Sequence, residues 1–205
     1  MSYKWLEWAQ RIQSISQAGL TFSSDAFDRE RYEELRTISA EIMASHSESE
    51  MQKIQELFVE EKGYPTPKID VRGVVFQDDQ ILLVKETHDN KWALPGGFCE
   101  IGLSAAENVV KEIREESGYI VQPKKLVALM DMNKYSSIPQ AFHYYKVFIQ
   151  CEITGGQPIT GIETAEIGFF TENNLPELSV KRNTSEQIHI LFEYNRDLYK
   201  ETWID

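Results

Sequence analysis

The stretch whose reading decides the fold runs from Leu94 to Ile120, LPGGFCEIGLSAAENVVKEIREESGYI. A Pro-Gly-Gly turn leads into a short loop, and the loop leads into a helix. Ser104 can serve as N-cap, with Glu107 three residues on to complete a capping box. Gly118 stands where a glycine stop belongs. Glu112, Glu115 and Glu116 are spaced i, i+3, i+4, so one helix face carries all three. They fall in the last turn, where the helix dipole is negative and acids are disfavoured. A hard cation with oxygen ligands, Mg²⁺ or Mn²⁺, would relieve their repulsion. Glutamate-rich helix ends are commonly plain solvated faces. Here the glycine-framed turn and the strand patterns on either side favour the functional reading.

The stretch resembles the Nudix box, whose pattern is Gly, five residues, Glu, seven residues, Arg-Glu-U-X-Glu-Glu-X-Gly-U, with U bulky and apolar. Gly97 stands at the first glycine, and Glu112, Glu115 and Glu116 at the three later glutamates. Ile113, Gly118 and Tyr119 take the remaining marked positions. Leu103 replaces the first glutamate and Lys111 the arginine. Lys111 supplies the charge but not the planar fork.

Composition bounds the partners. The chain has 205 residues, 41% hydrophobic and 26% charged, with a net charge of −12. So acidic a chain does not gather nucleic acid by non-specific attraction, and no tight nucleic-acid partner is expected. Cys99 and Cys151 imply no disulfide framework. Cys99 reads as a packing residue, because no basic partner is evident nearby. The opening MSYKWLEWAQ lacks a signal peptide's basic head and apolar run, and no apolar run reaches the ~18 residues of a membrane span. A cytoplasmic protein is expected.

Residues 1–62 read as three helices. Trp5, Leu6, Trp8, Ala9, Ile12 and Ile15 form an apolar stripe at helical spacing, ended by Gly19. Ser24 or Asp25 caps a second helix bearing Tyr32, Leu35, Ile38, Ile42 and Met43. Ser47 with Glu50 gives a capping box for a third, bearing Met51, Ile54, Leu57 and Phe58. Gly63 stops it, and Tyr64-Pro65-Thr66-Pro67 reads as a stiff linker. The expected domains are 1–67 and 68–205. Residues 1–67 hold seven Lys/Arg against twelve Asp/Glu, which argues against phosphate-backbone contact. Three short helices bury little alone, so a homodimer through them is expected.

In the second domain, 69–76 and 80–85 read as strands joined by a tight turn at Asp78-Asp79. Residues 125–132 and 141–153 read as two more, with a Gly155–Pro158 turn after them. The polar loop holding Glu163 and Glu166 precedes the strand Ile167–Phe170. Thr184 with Gln187 caps a last helix whose Ile188, Leu191 and Phe192 face the sheet. His143, Tyr144 and Tyr145 cluster near one strand start, either as core or as a wall for a base or quaternary ammonium. Arg72 and Lys85, on strands facing the box, are candidate phosphate holders.

The resemblance implies an α/β fold, the Nudix α/β/α sandwich with a mixed sheet, beside an all-α N-terminal domain. It implies metal-dependent hydrolysis of a nucleoside diphosphate linked to another group. Glu112, Glu115 and Glu116 would hold the metal, with a carbonyl from Gly96 or Gly97. Glu116, Glu163 or Glu166 would act as base, and Glu112 belongs to the same catalytic set. His143 and Tyr145 would line the substrate. The helical opening joined to this box is similar to bacterial Nudix enzymes with a helical N-terminal domain, CDP-choline pyrophosphatases among them. That implies CDP-choline, split to CMP and phosphocholine, as the leading substrate. ADP-ribose and RNA ends are the alternatives, and a weakly catalytic ligand-binding regulator is the alternative of another class.

Overall fold

The computed structural model describes residues 3–46, 51–135, 140–197 and 199–205. The chain divides into two compact units, one of Met1–Pro67 with Ser137–His143, the other of Lys68–Ser136 with Tyr144–Asp205.

The first unit holds helices α1 (Lys4–Phe22), α2 (Ala26–Ser45) and α3 (Met51–Glu60). Asp25 caps α2, accepting bonds from the Phe27 and Asp28 amides. The Ser47–Glu50 capping box lies outside the described residues. Gly19 does not end α1: the helix runs to Phe22, and the missing Cβ admits the Tyr32 ring. The buried face of α1 shares Leu6 and Ala9 with the expected stripe and then departs from it. Leu6, Ala9, Gln13, Ser16 and Gln17 are buried, while Trp8 and Ile15 are 53% and 57% exposed. Small side chains explain the choice. Ala9 lets α1 approach α2, where the Ser39 hydroxyl donates to the Ala9 carbonyl at 2.8 Å, and the Ser16 hydroxyl donates to the Tyr32 carbonyl. Leu6, Met43, Ile54 and Phe58 complete this small core, with Ala141 and Phe142 packed on it.

The second unit is a seven-stranded mixed sheet between two helices. Its strands are β1 (Lys68–Gln77), β2 (Gln80–Glu86), β3 (Trp92–Ala93), β4 (Tyr119–Asp131), β5 (Tyr144–Gly156), β6 (Thr164–Phe170) and β7 (Trp203–Ile204). Its helices are α4 (Ala105–Ser117), the short α5 (Met132–Tyr135) and α6 (Ser185–Arg196). The order is β3-β2-β1-β5-β4-β7, with β6 beside β2. β1–β5 and β4–β7 are parallel, and the other pairs antiparallel. Asp78 and Asp79 both take positive φ, as a two-residue hairpin turn of the primed kind requires. α4 places Val109 and Ile113 in a core with Val71, Val75 and Leu82. α6 places Ile188, Leu191 and Phe192 on the other face, with Val74, Leu83 and Phe148.

Two strands run further than expected. β4 starts at Tyr119, directly after Gly118, and passes Pro123 at a register shift, where the missing N–H costs no ladder bond. β5 starts at Tyr144 rather than at 141 and continues through Gly155 and Gly156.

β1 and β2 pair only beside their hairpin, at Phe76–Ile81 and Gln77–Gln80. The segment from Trp92 to Gly97 occupies the space between their other ends. Trp92 and Ala93 pair with β2, then Pro95 and Gly97 accept bonds from the Gly73 and Val71 amides of β1, each at 2.8 Å. Gly96 sits between them at φ +143°, where a Cβ would lie 2.0 Å from the Val71 carbonyl oxygen.

Beneath this segment lies a buried charge cluster. Asp70 and Arg72, two apart on β1, share a face, and Lys146 reaches them from β5. The Arg72 Nε and Nη2 donate to the two Asp70 oxygens at 2.8 and 3.1 Å, and Lys146 Nζ donates at 2.9 Å. Burial works to raise the Asp70 carboxyl, but the Arg72 and Lys146 charges outweigh it and hold the group below its usual range. Arg72 Nη1 also donates to the Leu94 carbonyl at 3.1 Å. Removing the one carboxylate strands two buried cations. Asp70→Asn is expected to cost about 3–5 kcal/mol, the scale of breaking a buried pair, measured by urea unfolding of both proteins.

Candidate active site

α4 is built as its sequence reads. The Ser104 hydroxyl accepts from the Glu107 amide and Glu107 accepts from the Ser104 amide, completing the capping box. Gly118 closes the helix in the left-handed region at φ 74°. The helix therefore stops with Glu112 and Glu116 beside the Pro95–Gly97 turn. Glu116 is buried, and its Oε2 accepts from the Gly96 amide at 2.8 Å. The Glu112 carboxylate lies against Gly97, 3.3 Å from where a Cβ would stand.

Glu115 does not join them. It is exposed and accepts from Lys111 Nζ at 3.0 Å, and the same ammonium reaches Glu100 at 3.0 Å. The three acids thus differ in setting: Glu112 and Glu116 face the turn, while Glu115, close enough for its charge to raise Glu112, is held by Lys111. Among the described residues, no group of three or more His, Cys, Asp or Glu converges as a formed metal site.

Electrostatics make the pair receptive to a cation. Burial raises the Glu116 carboxyl to about 8; Arg72 and the Gly96 N–H oppose the shift, and Glu86 and Glu112 add to it. Burial also raises Glu112. Two carboxylates whose charge is opposed by burial and by each other, beside backbone carbonyls, fit a hard divalent ion. Gly97's carbonyl is turned to the Val71 amide. Gly96's is therefore the better-placed of the two carbonyls considered as ligands.

The remaining candidates separate. Arg72 is closed to solvent and engaged with Asp70 and Leu94, so it anchors the turn rather than meeting phosphate. Lys85 and Glu166 stand opposite each other on β2 and β6 and pair at 2.7 Å. The pair is largely exposed and weak, so it occupies both side chains without closing either role. Glu163 is exposed on the loop before β6, and its carbonyl accepts from the Thr87 amide at 2.9 Å. The loop is tied to α4 next door: the Gly161 amide donates to the Thr164 hydroxyl, which donates to the Glu116 carbonyl, both at 2.8 Å. Tyr144 is buried edge-on against Phe98, with centroids 5.8 Å apart, and is not an open aromatic wall. His143 belongs to the helical unit and Tyr145 to β5.

Sequence reading missed Asp70, Lys146, Glu86 and Asn183. The first two left a signal, as charges inside apolar strand runs. Asn183, whose Oδ1 accepts from the Leu94 amide at 2.9 Å, left none.

Residues 66–192 match the NUDIX domain. The chain belongs to the Nudix family. Residues 3–58 match Nudix_N, described as a UDP-X-like, N-terminal oligomerisation domain. The chain is 60% identical to YjhB of Bacillus subtilis (strain 168), provisionally named an ADP-ribose pyrophosphatase, over 98% of this chain and 97% of that one. It is similar to a crystal structure of UDP-X diphosphatase, with 36% identity, a TM-score of 0.65 and 100% of both chains covered. It is also similar to an ADP-ribose pyrophosphatase structure from Streptococcus suis 89-1591, with 41% identity and a TM-score of 0.63, over 68% of this chain and all of that one. This Nudix chain is accordingly a pyrophosphohydrolase, of a family that uses divalent metal ions. Among the described residues, no helix is long and apolar enough to cross a membrane.

The Glu116 shift sets a pH signature. The unfolded carboxyl titrates near ~4.3 and the folded, metal-free one near 8. Between these values the unfolded chain has released a proton that the native chain keeps. The native state therefore loses stability as pH rises through that window, with the full penalty present above it. Melting of metal-free protein is expected to show Glu116→Gln gaining on the parent from pH 5 to pH 9. A constant difference across that range would contradict the assignment.

Proposed function

We propose that this Nudix enzyme hydrolyses the diphosphate of ADP-ribose and related nucleoside diphosphate derivatives, with Mg²⁺ or Mn²⁺ held by Glu112, Glu116 and the Gly96 carbonyl. The observation that carries the reading is the buried Glu116 carboxylate, fixed on the Gly96 amide beside Glu112. When bound, the cation neutralises phosphoryl oxygens and makes a coordinated water more acidic. The protein's own part is placement. Gly96 orients Glu116, the turn keeps Glu112 close, and Glu115 with Lys111 closes the outer edge of the helix. Glu163, on the loop tied to the Glu116 carbonyl through Thr164, is the candidate base.

ADP-ribose is placed first because the names of the relatives point there. Within the aromatic cluster Tyr144 is packed against Phe98, and the resemblance of the helical opening and the box is what supports CDP-choline. It remains in the panel with UDP-linked sugars and capped RNA. Release of nucleoside monophosphate with Mg²⁺ or Mn²⁺ is expected for ADP-ribose, and turnover of none would favour a ligand-binding regulator. Glu116→Gln is expected to lower kcat at least ~100-fold, the scale for lost catalytic charge; a near-normal rate would remove Glu116 from the reaction.

The helical unit is proposed to pair two copies. Trp8, Ile15 and Phe22 recur every seven residues on α1 and are 53%, 57% and 69% exposed. Apolar side chains at heptad spacing on one open face suit a helix–helix seam. Sedimentation of the full chain is expected to show a dimer, and Ile15→Glu a folded monomer whose melting temperature no longer depends on protein concentration.

A further inference from the structure

A diphosphate reaction needs positive charge at the phosphoryl oxygens besides the metal. The basic groups around the site are mostly engaged. Arg72 and Lys146 are closed to solvent on Asp70, Lys85 is on Glu166, Lys111 on Glu100 and Glu115, and Lys91 on Glu177.

Arg182 is different. It pairs through Nη2 with Glu86 Oε2 at 2.8 Å, and its side chain is 32% exposed while that of Glu86 is 2% exposed. One nitrogen of a five-donor fork is thereby held. Glu86 ends β2 opposite Thr164, the residue whose hydroxyl holds the Glu116 carbonyl. The segment bearing Arg182 is laced to the site's central turn. The Ser179 amide donates to the Trp92 carbonyl at 2.8 Å, and Asn183 accepts from the Leu94 amide. Among the described residues, Glu86 Oε1 and Asn183 Nδ2 are buried here without a hydrogen-bond partner. Such atoms are scarce in folded proteins; of the two, Asn183 Nδ2 is a donor that a phosphoryl oxygen can satisfy, whereas Glu86 Oε1 needs a donor such as water or a further N–H of Arg182.

We propose that Arg182 is a substrate-contact residue that binds phosphoryl oxygens of the nucleoside diphosphate, and that Glu86 is the positioning residue that aims it. The proposal rests on the reading of this site as a diphosphate hydrolase. The planar fork matches two phosphoryl oxygens at once, which a lysine cannot do. Glu86, fixed at a strand end and buried, restricts the rotation of the guanidinium.

The test is steady-state kinetics with ADP-ribose and UDP-glucose in Mg²⁺, alongside melting curves. Arg182→Ala is expected to raise KM about tenfold to a hundredfold, the range for one charge-assisted bond, with a smaller change in kcat. Added guanidinium ion is expected to recover part of the loss, and Arg182→Lys to fall between. Glu86→Gln is expected to raise KM less than Arg182→Ala. Guanidinium does not stabilise folded proteins, so recovery by it separates contact from structural support. Should Arg182→Ala fail to fold, Arg182→Lys carries the comparison. An unchanged KM, or a kcat loss with lowered melting and no recovery, would overturn the role of Arg182 alone. Absence of turnover by the parent enzyme on every nucleotide in the panel would remove the functional reading and this role with it.

Discussion

The buried carboxylate of Asp70 governs the geometry of the site. An isolated anion in a sheet interior would be prohibitively costly, and here two cations converge on it. Arg72 links it onward to the Leu94 carbonyl, and Leu94 starts the turn whose Gly96 amide meets Glu116. A chain of polar contacts thus runs from the middle of β1 to the end of α4. Lys146 is pushed down to about 7, by burial first and by Arg72 second, with Asp70 opposing. The arrangement is held by mutual dependence rather than by a surplus of stability. Such buried networks fix one geometry against its neighbours when every member is satisfied.

That chain gives the two halves of the acidic helix end different roles. Glu112 and Glu116 are held inward, where burial makes their charge unwelcome without a cation. Glu115 is held outward by a lysine that also bonds Glu100, at the stem of the loop before α4. Lys111 serves a structural purpose that its charge can meet without a planar fork, consistent with its place in an altered box. The loop of Glu163 is fastened to the helix by the Thr164 hydroxyl, so its backbone is constrained where it passes Glu116.

Much of this was legible because it is local. The Ser104 capping box, the Gly118 stop, the Asp78-Asp79 hairpin and the Thr184 cap each depend on residues within a few positions of one another. What escaped depends on partners far along the chain. Nothing near Lys85 reveals that strand register sets it opposite Glu166, and nothing near Arg72 reveals Lys146. The face of α1 was misjudged for another reason. Hydrophobicity marks the side that avoids water in the final assembly, whereas small residues mark the side on which helices can approach closely. On α1 the two overlap at Leu6 and Ala9 and diverge at Trp8 and Ile15.

Ala141 and Phe142, which lie between α5 and β5 in sequence, belong to the small helical core. The helical unit is therefore not a simple prefix. A ribosome that has released the first 67 residues has not yet supplied the Phe142 ring that meets Phe58. The two units are interleaved in synthesis as well as in sequence. Completion of the helical core must wait until half the sheet unit has emerged.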